Sequence, residues 1–133
     1  MSNANVALVQ GLYAAFGRGD VASIIANLAP DVHWESGGRR SDFPTFGPRK
    51  GPSEVQIFFG QVAENLDFAE FTPREFCPSG DKVFVPGFYA ATMRKSGKSV
   101  ACEWVHVFTV RDGEVARFRE FTDTAMLADA YRG

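Results

Sequence analysis

Three side chains in the last third of the chain have the chemistry of a proton-transfer site. His106 falls in the alternating row Cys102, Trp104, His106, Phe108. Alternate residues of an extended strand share one face, so a titratable imidazole stands in an aromatic row. Glu120 alternates with Phe118 and Thr122 and is expected to face the same side. Asp123 follows where the strand pattern ends. An imidazole beside a carboxylate is a general acid/base pair, because the carboxylate tunes the proton affinity of the ring. A buried neutral histidine satisfied by a backbone carbonyl or by glutamate gives the same pattern. Glu120 reads equally as a hydrogen-bonded structural acid, and Asp123 as the cap of a short final helix.

The segment Glu103–Thr124 that carries these residues reads as two β-strands joined by an Arg111-Asp112-Gly113 turn. Before it come a strand over Phe68–Cys77, a turn at 78–81 and a strand over Lys82–Arg94. Pro86-Gly87 suggests a bulge or bend in the latter, and Ser96-Gly97 a hairpin. The first half is helical. Val9, Leu12, Tyr13 and Phe16 mark an amphipathic helix over Asn5–Phe16, ended by Gly17 and Gly19. Asp20 is positioned to cap a second helix carrying Ile24, Ile25 and Leu28, which Pro30 stops. Asp31–Ser36 reads as a strand, with Val32, Trp34 and Ser36 on one face and His33 and Glu35 on the other. Ser36–Pro52 is a glycine- and proline-rich loop, a lid, a binding loop or disordered. Its Arg39, Arg40, Arg49 and Lys50 outnumber Asp42. They could draw an anionic group but read as solvated. Ser53 and Gln56 form a capping-box pattern for a third helix with Val55, Phe58, Phe59 and Val62, running to about Asn65. A helical tail is expected near Ala125–Tyr131. The order α-α-β-α-β-β-β-β predicts an α+β fold: a curved antiparallel sheet wrapped by three helices, forming a cone with an internal pocket. One domain over residues 1–133 is expected.

Composition narrows the function classes. Phenylalanine accounts for 13 of 133 residues, which suits a core that also walls a cavity. Trp34 and Trp104 are expected in that wall. A net charge of −2 and the lack of a long basic block argue against nucleic acid. No apolar run approaches the ~20 residues that span a bilayer. The first ten residues show no basic-then-apolar signal, so a cytoplasmic location is expected. Cys77 and Cys102 then stay reduced. No metal-ligand spacing, nucleophile elbow or phosphate-binding glycine motif appears, so neither metal nor cofactor is expected.

The order of elements and several signposts resemble the SnoaL-like and ketosteroid-isomerase-like superfamily, the cone fold of nuclear transport factor two. The signposts are Phe16-Gly-Arg-Gly-Asp20, Leu28-Ala-Pro-Asp-Val-His-Trp-Glu35, the Gly51-Pro-Ser53 helix start and the final hairpin from Trp104 to Thr124. The resemblance implies a ligand pocket touching Leu12, Trp34, Ser36, Phe58, Trp104 and Phe118, and a homodimer through the outer sheet face. It departs from steroid isomerases at three roles. Ser36 stands at the position of the catalytic aspartate base. Leu12 stands at the oxyanion tyrosine, with Tyr13 one position off and turned elsewhere. His106 stands at the protonated aspartate. Trp104 and His106 occupy the positions where limonene-epoxide-hydrolase-like enzymes need an Arg and an Asp. The implied function is cofactor-free proton transfer on a small, largely apolar, oxygenated molecule: isomerisation, cyclisation or dehydration. His106 with Glu120 or Asp123 would carry the proton. The competing class is a non-catalytic ligand-binding or protein-interaction module.

Overall fold

The computed structural model describes residues 4–133. Helix α1 spans Ala4–Gly17 and α2 spans Val21–Ala26. Asp20 caps α2 as expected, its carboxylate accepting from the Ser23 N–H. The helix ends at Ala26, before Pro30. Leu28 to Pro30 already belong to strand β1 (Leu28–Ser36). Pro30 sits where the register of β1 shifts, between Leu28 and His33, so its missing N–H removes no regular ladder bond.

The long loop is shorter than its composition suggests. Gly47–Lys50 forms an edge strand, β2, antiparallel to β1, and α3 runs from Gly51 to Asn65. The Ser53–Gln56 capping box does not form. Lys50 is the N-cap, without a side-chain cap bond, and the Glu54 carboxylate accepts from the Lys50 N–H. Arg40 ties the remaining loop down by donating to the Phe46 and Pro48 carbonyls, while Phe43 and Phe46 are buried beneath it.

The expected Phe68–Cys77 strand is split into β3 (Leu66–Pro73) and β4 (Cys77–Ser79), both paired with β5 (Lys82–Met93). Strands β6 (Ser99–Arg111) and β7 (Glu114–Thr122) follow, then α4 (Thr124–Arg132). The sheet order is β2-β1-β7-β6-β5-β3. It is a mixed sheet, because β1 pairs parallel to β7 while the other pairs are antiparallel. Four helices accompany it: three in the expected order and α4, the expected helical tail. The α+β class stands: a large, curved, unclosed sheet with one face buried.

Strict alternation builds that face. In β6, Val100, Cys102, Trp104, His106, Phe108 and Val110 are buried between exposed or half-buried neighbours. The β6–β7 turn has positive φ at both Asp112 and Gly113, the conformation that matches the twist of a two-residue hairpin. Gly87 is not at a bulge. Its pairing with Trp104 lies within an unbroken β5–β6 register, and the irregularity is instead in β3 between Phe68 and Glu70. Gly87 is required because the Trp104 indole lies flat over it. A Cβ there would sit 2.3 Å from Cζ2 and Cη2 of that ring.

Gly87→Ala should therefore lower unfolding free energy by about 1–3 kcal/mol through overpacking. Trp104→Phe removes the two atoms in conflict. A urea double-mutant cycle should show strong coupling between the two changes, and additive effects would contradict this contact.

Candidate functional site

Register brings three polar side chains into one row across the buried face. Ser36 on β1 pairs with Glu120 on β7, and Glu120 pairs with His106 on β6. The Ser36 Oγ donates to Glu120 Oε1 at 3.2 Å, and His106 Nε2 lies 2.8 Å from Glu120 Oε2. Helix α1 completes the row: the Tyr13 hydroxyl lies 2.6 Å from His106 Nδ1. A carboxylate only accepts, so Nε2 carries the proton and donates to Glu120. In neutral imidazole Nδ1 then accepts from Tyr13. The chain of donors runs Tyr13, His106, Glu120, with Ser36 holding the second carboxylate oxygen.

Aromatic rings fix the orientation of the imidazole. Trp104 stacks on it with centroids 3.9 Å apart, and Phe118 meets it edge-on at 4.8 Å. The Tyr13 and His106 rings lie parallel, at an interplanar angle of 1°. In front of them lies a cavity of about 80 Å³, walled chiefly by aromatic residues, with His106, Glu120 and Tyr13 as polar members of its lining.

The expected site residues divide. Leu12, Trp34, Phe58, Phe118, His106 and Glu120 line this cavity. Trp104 and Ser36 do not: Trp104 lies behind His106, over Gly87, and Ser36 lies behind Glu120. Asp123 is the N-cap of α4, accepting from the Met126 N–H at 3.0 Å, and is outside the lining. Tyr13 is turned into the site, not away from it. It belongs to the same helical stripe as Val9 and Phe16, at i+4 and i−3, and that spacing is the signal for it. Tyr89 also lines the cavity and had no distinguishing sequence signal. Arg49, read as solvated, is 5% exposed. Among the described residues, no three His, Cys, Asp or Glu side chains group as a metal site would require.

Residues 9–118 match the family model described as a SnoaL-like domain. The chain belongs to the SnoaL-like domain family. Its relatives of known structure share the whole fold. An NTF2-like protein of unknown function from Burkholderia pseudomallei is 31% identical, with all of both chains covered and a TM-score of 0.89. An NTF2-like protein from Burkholderia thailandensis is 32% identical over 98% of each chain, with a TM-score of 0.85. TerC, whose structure was determined with polyporic acid, is 26% identical over 98% of this chain and 99% of its own, with a TM-score of 0.85. No curated protein matches the chain in sequence.

Within this SnoaL-like domain the electrostatics favour a protonated Tyr13. Burial raises its pKa far above the ordinary value, and the nearby charge of Glu120 raises it further. Tyr89 is raised by the same two causes in the same order. The phenol thus resists standing as a free tyrosinate.

This gives a pH dependence with a definite sign. Above about pH 10 the unfolded chain releases these phenol protons while the folded SnoaL-like domain retains them. The unfolded state then binds fewer protons, so stability falls as pH rises. Tyr13→Phe should make this fall shallower by up to one proton, about 1.4 kcal/mol per pH unit. Urea unfolding from pH 9 to 11 measures both slopes, and equal slopes would refute the assignment.

Proposed function

We propose that this protein is a cofactor-free acid/base enzyme acting on a small, apolar, oxygenated molecule held in the aromatic cavity. The observation that carries this reading is His106, clasped on one nitrogen by Tyr13 and on the other by Glu120 at the cavity wall. A substrate C–H or O–H beside the Tyr13 oxygen passes its proton to that oxygen. Tyr13 passes its own proton to His106 Nδ1 in the same motion, which avoids a free tyrosinate. Glu120 stabilises the imidazolium formed. Reversal returns the proton at another substrate atom, so no proton is gained or lost overall. Isomerisation, cyclisation and dehydration all fit this cycle. TerC, which was crystallised with polyporic acid, supports a small organic molecule as ligand.

One observation favours a second reading, a non-catalytic binder of the same ligand. Every ring nitrogen of His106 is already satisfied inside the protein, and the histidine is only 5% exposed. In that reading the row is structural.

We also propose a homodimer through the outer sheet face. Val105 and Phe121 are cross-strand partners there, exposed by 38% and 50%, an apolar pair that a second copy would cover.

Deuterium uptake separates the two readings of the cavity. A panel of small enolisable aromatic ketones is incubated with the protein in D2O and followed by NMR. Catalysed exchange should fall by roughly 10²–10⁴-fold in His106→Ala and Tyr13→Phe, with circular dichroism unchanged. Exchange equal to wild type in both variants would sink the mechanism. Ligands that raise the melting temperature yet never exchange would support the binder. For the dimer, Phe121→Glu should shift sedimentation from two copies to one, and a monomeric wild type would end that proposal.

A further inference from the structure

Beside the cavity, where β2 pairs with β1, two buried polar groups are left without partners. Arg49 on β2 lies directly across from Trp34 on β1, and both are at least nine-tenths buried, at 5% and 4% exposure. Trp34 lines the cavity together with Thr45 and Phe58, and Arg49 stands just outside that lining, its guanidinium over the Phe58 ring at 5.8 Å. One N–H group on each of these paired residues, Trp34 Nε1 and Arg49 Nε, is buried with no hydrogen-bond partner. Such groups usually find one, and leaving them unpaired costs stability.

The charge is unpaired as well. Arg49 Nη2 donates to the Pro44 carbonyl at 2.7 Å and to Gln61 Oε1 at 2.6 Å, both neutral acceptors. Among the described residues, no carboxylate forms an ion pair with Arg49. Glu54, the acid whose charge favours it, is engaged by the Lys50 N–H. Arg40 adds like charge, and burial, the larger cause, lowers the Arg49 pKa further. Holding the loop explains Nη2. It explains neither the idle Nε, nor the idle indole N–H opposite it, nor a buried cation without an anion.

We infer that Trp34 Nε1 and Arg49 form an anion-accepting subsite, and that the ligand of this cavity is a small aromatic carboxylate whose charged group binds between them. A carboxylate supplies acceptors for both idle donors and the missing negative charge, in charge-assisted bonds stronger than neutral ones. The aromatic part fits the ring-lined walls, where Trp34 and Phe118 stack at 4.0 Å. A space of about 80 Å³ limits the ligand to one ring unless the walls part. The inference rests on the proposal that the cavity holds a small molecule.

Benzoate and its neutral match benzamide test the two claims separately, by calorimetric titration of the full-length protein at pH 7.5. Benzoate should bind wild type at least tenfold more tightly, the advantage of a charge-assisted over a neutral pair. Trp34→Phe, which deletes the indole N–H, and Arg49→Gln should each cut benzoate affinity by roughly tenfold and benzamide affinity by less, so that the preference for benzoate shrinks. Equal binding of the two compounds to wild type overturns the anion subsite and leaves the ligand cavity standing. A benzoate preference that neither variant reduces overturns the assignment to these residues. Binding of neither compound overturns both claims. Should Arg49→Gln fail to fold, the wild-type comparison and Trp34→Phe decide the matter.

Discussion

A histidine enclosed by aromatic rings needs a partner on each nitrogen, and that need orders much of the molecule. Leaving either nitrogen of His106 bare would cost about 1–3 kcal/mol, and leaving Glu120 charged and alone would cost more. The Glu120 partner comes from β7, so the β6–β7 register is tied to the bond. A slip of one residue would turn Glu120 to the outer face and bring an arginine, Arg119, inward. The Tyr13 partner comes from α1, so the same demand fixes the rotation of that helix against the sheet. Ser36 extends the row onto β1, whose parallel pairing with β7 sets it beside Glu120. Helix α1, strand β1 and the β6–β7 hairpin, three parts of the chain distant in sequence, are thereby held to one geometry by three hydrogen bonds.

The polar groups of the buried face fall into two kinds. The Ser36–Glu120–His106–Tyr13 row is satisfied within the chain. Trp34 Nε1 and Arg49 Nε are not. Satisfied networks add specificity and rigidity, whereas idle buried donors reduce stability unless something else binds them. Trp104 Nε1 is also buried and idle, but its indole is held between His106 and Gly87 and does not line the cavity. Trp34 differs, because its residue lines the cavity and its ladder partner Arg49 brings a second idle donor beside it.

The parts of the fold legible in the sequence are those governed by local rules. The alternation of β6, the Asp112-Gly113 turn and the Asp20 cap each follow from neighbouring residues, and each is found. The misread parts answer to distant ones. Strand β2 has no apolar alternation, because its inward side chain is Arg49, so Gly47–Lys50 looked like more loop. Pro30 reads locally as a helix stop, yet α2 ends earlier and Pro30 fits a register shift set by β7. Pro86-Gly87 reads locally as a bend, although Gly87 is there for the Trp104 ring across the ladder. The His106–Glu120 pair was legible because both strands alternate cleanly. Tyr13 is less legible, because alignment with steroid isomerases puts Leu12 at the tyrosine position, although the helical stripe of Val9 and Phe16 includes Tyr13.

The row of hydrogen bonds ends at Tyr13, where the cavity wall is shared with a second cleft. Tyr13, Phe16, Phe68 and Phe71 line the cavity and also a separate outer cleft beside the end of α1. One layer of rings thus separates inside from outside there. Phe71 touches Tyr13, Phe16 and Phe68, with centroids 4.9–6.3 Å apart. The irregular register of β3 lies in the same strand, between Phe68 and Glu70, where the ladder restrains the backbone least. Phenyl rings can turn about χ2 without breaking a hydrogen bond, but Tyr13 cannot move away without leaving His106 Nδ1 unpaired. The phenylalanines are therefore the cheaper part of this wall to displace.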